Sequence, residues 1–212
     1  MNNRFIKTMT CFCLVLAAIC LVLAGKNVSA GETRILFLGD SLTAGLGVAK
    51  DAAYPAVVEN LLKQQGWTDV KIINGGISGA TTAGAASRLK WHLKAAPHIL
   101  VLALGANDGL RGLSLDNMAR NLDDTIALAL ENDLCVILAG MEIPPNYGPD
   151  YTRRFSQTFK DLAQKHGIVR IPFLLDNVGG VADMNQADGV HPNAAGHRQI
   201  ARTVLPYIQE CL

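Results

Sequence analysis

Five short apolar runs punctuate the chain, at residues 35–38, 70–73, 99–104, 134–139 and 169–171. None alternates apolar with polar positions, which is how strands buried on both faces of a parallel sheet read. Between the runs the hydrophobic period becomes helical. Tyr54, Val57, Val58, Leu61 and Leu62 share one helical face, and Gly66 follows as a stop signal. Leu115, Met118, Leu122, Ile126 and Leu130 repeat the spacing behind Ser114, a residue suited to capping a helix N-terminus. Phe155, Phe159, Leu162 and Ala163 do so before Gly167, and Ile200, Val204 and Ile208 do so after His191-Pro192-Asn193, with Pro206 expected to kink or end that last helix. Strand and helix alternating about five times with short connections predict a three-layer α/β/α domain on a five-stranded parallel sheet. The longest irregular stretch after the second run is 140–150, which holds Pro144-Pro145-Asn146-Tyr147-Gly148 and reads as a candidate substrate wall or as a plain surface turn.

Residues 1–30 stand apart from this pattern. Arg4 and Lys7 precede an uninterrupted apolar segment from Cys11 to Leu23, and Val28-Ser29-Ala30 has the small residues of a cleavage site, the anatomy of a secretory signal. The expected organisation is therefore a signal peptide at 1–30 and one domain at 31–212, in a periplasmic or secreted protein. An uncleaved anchor is the competing reading, because residues 8–25 carry no charge. With the signal removed, no stable membrane span is expected. Ile19 in front of Cys20 argues against lipidation.

Residues 31–212 carry 16 basic and 18 acidic side chains, so no concentrated basic face calls for a nucleic-acid partner. The domain is expected as a monomer. Of five cysteines, only Cys135 and Cys211 lie beyond the signal. Cys135 reads as a small buried hydrophobe, and a disulfide to Cys211 is the alternative that an oxidising compartment allows.

Chemically capable residues sit just after separate apolar runs: Ser41, Gly79, Asn107, Asp188 and His191. In a parallel sheet the turns after the strands open on one edge, so these segments converge. Ser41, in Gly39-Asp40-Ser41-Leu42, presents a hydroxyl there, although capping the next helix is the default reading of such a serine. Asp188-Gly189-Val190-His191 puts a carboxylate three residues before an imidazole, so the carboxylate can hold Nδ1–H and leave Nε2 free to take the serine proton. A developing oxyanion needs donors: the Asn107 amide, a backbone N–H at Gly79 and that of Ser41 meet the need. Asp40 and Asp108 read as turn-stabilising acceptors. His92, His98, His166 and His197 lack a comparable carboxylate partner and read as surface or partly buried histidines. The set describes a serine hydrolase that uses no metal and no cofactor.

Taken together, Gly39-Asp40-Ser41-Leu42, Gly79, Gly105-Ala106-Asn107-Asp108 and Asp188-Gly189-Val190-His191 resemble, in order, the four blocks of the GDSL, or SGNH, hydrolase family. That resemblance implies a flavodoxin-like fold, with Ser41 as nucleophile, His191 as base, Asp188 as its orienter, and Ser41, Gly79 and Asn107 as oxyanion donors. The run from Gly105 to Gly112, together with Pro145-Asn146-Tyr147-Gly148 and Tyr151, is similar to exported bacterial enzymes with acyl-CoA thioesterase, lysophospholipase and arylesterase activity. It implies small-molecule esters and thioesters of medium to long acyl chains as substrates, with Leu110, Pro145, Asn146 and Tyr147 as substrate contacts. Two rival readings are a carbohydrate-ester deacetylase, which would peak at acetyl groups, and a non-catalytic module holding an anion at a helix N-terminus.

Overall fold

A computed structural model describes residues 31–212. The expected signal at 1–30, with Cys11, Cys13 and Cys20, lies outside the described residues. Strands β1 (Thr33–Gly39), β2 (Val70–Asn74), β3 (Ile99–Ala103), β4 (Cys135–Ala139) and β5 (Val169–Ile171) form one sheet in the order β2-β1-β3-β4-β5, every pair parallel. This is the doubly wound order in which the chain reverses direction across the sheet at β1/β3. β3 is buried at every position, as its unbroken apolar run requires. Helices α1 (Ser41–Ala44), α2 (Tyr54–Gln64), α3 (Ala85–His92), α4 (Ala106–Leu110), α5 (Leu115–Leu130), α6 (Pro149–His166) and α7 (Ala194–Gln209) fill the connections. α2 packs on α7, whereas α5 packs between α3 and α6, giving the two outer layers.

The capping signals operate where the sequence placed them. Ser114 accepts a hydrogen bond from the Asn117 N–H at the head of α5, and Gly167 ends α6 in the left-handed conformation at φ 63°. The apolar stripe of α5 buries Leu115, Met118, Leu122 and Ile126, each worth roughly 1.5–3 kcal/mol relative to exposure. At the end of β1, a Cβ on Gly39 would fall 1.9 Å from Thr43 Oγ1. Only glycine lets α1 start that close to the strand, and Ser41 is the first residue of α1.

The structure departs from the sequence pattern in four places. Helix α3 has no clear apolar stripe, since it buries only Ala85 and Leu89, and its periodicity is correspondingly faint. Pro206 does not end α7, which runs three residues further to Gln209. Pro206 sits on the exposed side of the helix, where water can satisfy the carbonyl that loses its partner. The longest irregular stretch is 172–193, not 140–150; it contains a single 3-10 turn at Ala182–Met184 and carries Asp188 and His191. Finally, Cys135 and Cys211 are joined in a disulfide with Cα atoms 6.0 Å apart and a sequence separation of 76. It fastens the end of the chain beyond α7 to the start of β4. In the chain-entropy picture a loop of that length stabilises the fold by about 4 kcal/mol.

Candidate active site

Two separate pieces of chain meet at the carboxyl edge of the sheet. Ser41 Oγ lies 3.0 Å from His191 Nε2, across 150 residues of sequence. His191 Nδ1 lies 2.7 Å from Asp188 Oδ2. The other carboxylate oxygen, Oδ1, accepts the backbone N–H groups of Val190 at 2.9 Å and His191 at 3.0 Å. This local closure fixes the carboxylate relative to the imidazole that follows it. The His191 backbone N–H above all, then the imidazole and the Val190 N–H, hold the Asp188 carboxyl down at about 2. An ionised acceptor at Nδ1 places the imidazole proton there and turns the Nε2 lone pair toward Ser41. A hydroxyl, an imidazole and a carboxylate so aligned can pass a proton out of the hydroxyl and deliver it to a leaving group.

The expected donors lie on the neighbouring connections. Gly79, with φ 76°, is the third residue of a turn closed by the Ala80 N–H donating to the Ile77 carbonyl at 3.0 Å. A positive φ at that position is readily taken only by glycine. Asn107 stands in α4, and its Nδ2 donates to the Ala80 carbonyl at 3.1 Å and, more distantly, to Asp40 Oδ2 at 3.4 Å. Asp108, 3% exposed, accepts from both the Thr82 N–H and the Thr82 hydroxyl, tying the connection after β3 to the one after β2. Asp40 accepts the Leu42 N–H at 3.0 Å and so caps α1 behind Ser41.

Asp40 is 2% exposed, and burial, only partly offset by the Leu42 N–H and the nearby His191 and Arg88, raises its carboxyl from an ordinary 3.8 to about 6. A proton held more tightly in the folded protein than in the unfolded chain makes stability fall as pH rises from about 4 to about 6. Asp40→Asn abolishes that dependence. Its melting temperature, relative to the wild type, is expected to be higher at pH 7 than at pH 4, by the equivalent of on the order of 1–3 kcal/mol. Thermal unfolding of both proteins across this range reads it; a constant difference would place the Asp40 carboxylate in solvent.

A cavity of about 300 Å³ opens beside Ser41, Asn107 and His191. Its walls are largely apolar, from Leu42, Leu110, Met141, Pro144, Phe173, Leu175 and Val190, with Glu142 as an added carboxylate. Leu110 thus stands where the sequence suggested. Pro145, Asn146 and Tyr147 do not line the cavity; Tyr147 instead donates its hydroxyl to the Leu110 carbonyl at 2.7 Å and supports the wall from behind. The 140–150 stretch does contribute to the wall, through Met141, Glu142 and Pro144, and shares it with 172–193, whose scattered Phe173 and Leu175 have no periodic signature. Arg111 was also passed over: its Nη2 donates to the Gly79 carbonyl at 3.0 Å and to Asn107 Oδ1 at 3.4 Å. The available signal was its helical i,i+4 spacing from Asn107.

Two other histidines differ from expectation. His166 does have a carboxylate partner, with Nε2 2.6 Å from Asp123 Oδ1, but the pair bridges α6 and α5 and no hydroxyl joins it. His197 is 1% exposed, and its Nδ1 accepts the Tyr54 N–H at 3.2 Å. Burial, with His191 nearby, lowers it to about 4, which keeps it neutral as a support for the start of α2. Among the described residues, no three His, Cys, Asp or Glu side chains converge as metal ligands would, and no helix is long and apolar enough to cross a membrane.

Comparison with known proteins places this geometry in context. The profile of the GDSL-like lipase/acylhydrolase family matches residues 37–199. The chain is 36% identical to Esterase TesA of Pseudomonas aeruginosa over 91% of its length and 96% of the relative's. It is 32% identical to Thioesterase 1/protease 1/lysophospholipase L1 of Escherichia coli K12, over 89% of each. The crystal structure of TesA superposes with a TM-score of 0.81 at 36% identity, covering 85% of this chain and all of the other.

Proposed function

Because the chain belongs to the GDSL-like lipase/acylhydrolase family and is a serine hydrolase of ester bonds, we propose that it cleaves medium to long acyl esters and thioesters through an acyl-enzyme on Ser41. The observation that carries this reading is the unbroken line Asp188 Oδ2, His191, Ser41 Oγ, at 2.7 and 3.0 Å. His191 Nε2 takes the Ser41 proton as Oγ bonds to the acyl carbon, and the carbonyl electrons move onto its oxygen. That oxyanion is met by the backbone N–H groups of Ser41 and Gly79 and by Asn107 Nδ2, whose second N–H is only loosely held by Asp40. The imidazolium, stabilised by Asp188, then protonates the departing alcohol or thiol. Water repeats the sequence against the acyl-serine, with His191 again as base, and frees the acid and Ser41.

The acyl range is inferred from the cavity, whose mostly apolar lining suits a hydrocarbon chain better than a sugar. The names of the relatives, which include a thioesterase and lysophospholipase, support the same class. Hydrolysis of p-nitrophenyl esters from acetyl to palmitoyl tests it: kcat/KM is expected to rise from acetyl to a maximum at medium or long chains. A peak at acetyl with collapse by octanoyl would move the substrate to carbohydrate acetates.

Export to the periplasm or beyond belongs to the same proposal. It is supported by the signal-like residues 1–30 and by the Cys135–Cys211 disulfide, a bond that persists in oxidising compartments.

A further inference from the structure

Arg111 follows α4 directly and is exposed, yet its guanidinium turns back across the rim of the site. One nitrogen, Nη2, bridges two connections, donating to the Gly79 carbonyl at 3.0 Å and to Asn107 Oδ1 at 3.4 Å. We propose that Arg111 is a positioning residue that locks the Asn107 amide and the Gly79 turn into one preformed oxyanion site. The inference rests on the reading of Asn107 and Gly79 as oxyanion donors.

The two faces of an asparagine amide are nearly equal in shape and opposite in charge. Turned by half a rotation, Asn107 would present Oδ1 to a developing negative charge and repel it. Two contacts set against that rotation: the Ala80 carbonyl accepts from Nδ2, and the Arg111 cation donates to Oδ1. Donation to the amide oxygen also polarises the group and strengthens its N–H as a donor, the cooperative effect of linked hydrogen bonds. At Gly79 the same cation restrains a residue whose φ of 76° leaves it no side chain with which to anchor itself. The backbones of the two connections are already joined by the buried Asp108–Thr82 pair. Arg111 therefore adds little to the fold, as an exposed charged contact should. Its effect falls on donor alignment, where small displacements are costly to the rate.

The test compares Arg111→Ala, Arg111→Lys, Asn107→Ala and the Arg111→Ala/Asn107→Ala double variant, with p-nitrophenyl octanoate as substrate. Arg111→Ala is expected to lower kcat roughly tenfold with KM within about twofold, because the donors act on the transition state. Added guanidinium ion is expected to restore part of that loss, and Arg111→Lys, which keeps the charge on a shorter side chain, to fall between alanine and wild type. In the Asn107→Ala background the cost of removing Arg111 is expected to shrink. Arg111→Ala at wild-type kcat, beside an Asn107→Ala that loses about a hundredfold, would overturn the inference and leave the oxyanion reading intact. So would a full tenfold cost in the double variant, or an effect confined to KM. An Asn107→Ala variant with unchanged kcat would instead remove the oxyanion reading itself, and the proposal with it.

Discussion

Replacing Ser41 with alanine is expected to lower kcat toward p-nitrophenyl octanoate by about five to six orders of magnitude, the scale on which loss of a serine nucleophile acts. No other hydroxyl stands within hydrogen-bond reach of His191 Nε2 among the described residues. Water would have to replace it without the advantage of being held in place. Stability should change little. The alanine variant loses a partly buried hydrogen bond to His191, while Asp40 still caps α1 and Gly39 still permits its approach to β1. Steady-state kinetics and thermal unfolding of the same preparation separate the two effects. A variant retaining a tenth of wild-type activity would remove Ser41 from the reaction, and a large drop in melting temperature would show that the hydroxyl is structural.

Asp188→Asn is expected to cost about three to four orders of magnitude in kcat. The carbonyl oxygen of asparagine can keep the hydrogen bonds from the Val190 and His191 backbone N–H groups, so the turn should survive. Its amide would then face His191 Nδ1 as a donor. That reverses the tautomer, leaves the proton on Nε2, and deprives Ser41 of its acceptor. In the wild type, Asp188, held down at about 2, stays ionised well below the pH of any useful assay. The Asp188 carboxylate therefore remains an acceptor for His191 Nδ1 throughout that range. The contribution of Asp188 to stability, present above about pH 4, is lost only as pH falls toward 2. Steady-state kinetics and thermal unfolding of wild type and variant check both: kcat should stay low in the variant, and the stability difference that Asp188 ionisation contributes should close only as pH falls toward 2. An Asp188→Asn variant with wild-type kcat would show that Asp188 does no more than shape the turn.

The three central strands were legible because nearly all of their positions are buried. Every position of β3 is apolar and every position is buried, so composition and environment carry the same message. α5 and α6 were legible because one wide face of each packs on neighbours and the other meets water. α3 was not, because a short helix with two buried residues leaves too little pattern to count. The residues about the reaction were legible for a different reason. Asp188 and His191 are three apart, and Ser41 and Asn107 each follow a strand, so topology alone carries them to one edge.

The cavity walls were harder to read. Phe173 and Leu175 belong to an irregular stretch held by side-chain hydrogen bonds, such as the local Asn185 Nδ2 bonds to the Val178 and Val181 carbonyls and the long-range Gln186 Nε2 bond to the Leu46 carbonyl. Such contacts follow no period. Tyr147 illustrates the converse: a conspicuous motif drew attention to a side chain that braces the Leu110 carbonyl and leaves the cavity lining to others. The disulfide and the buried His197 depend on pairings across 76 and 143 residues, which only the folded chain displays.

If Ser41 Oγ is the nucleophile that carries the acyl group, an organophosphonate should trap it. Reaction of the protein with a p-nitrophenyl alkylphosphonate, followed by release of p-nitrophenol and by mass spectrometry of the peptides, tests it most directly. The expected result is one equivalent of p-nitrophenol per chain, complete loss of esterase activity, and a single phosphonyl adduct on Ser41 that is absent from the Asp188→Asn protein on the same timescale. Full inactivation with the adduct on another residue, or an unlabelled Ser41 in an active enzyme, would contradict it.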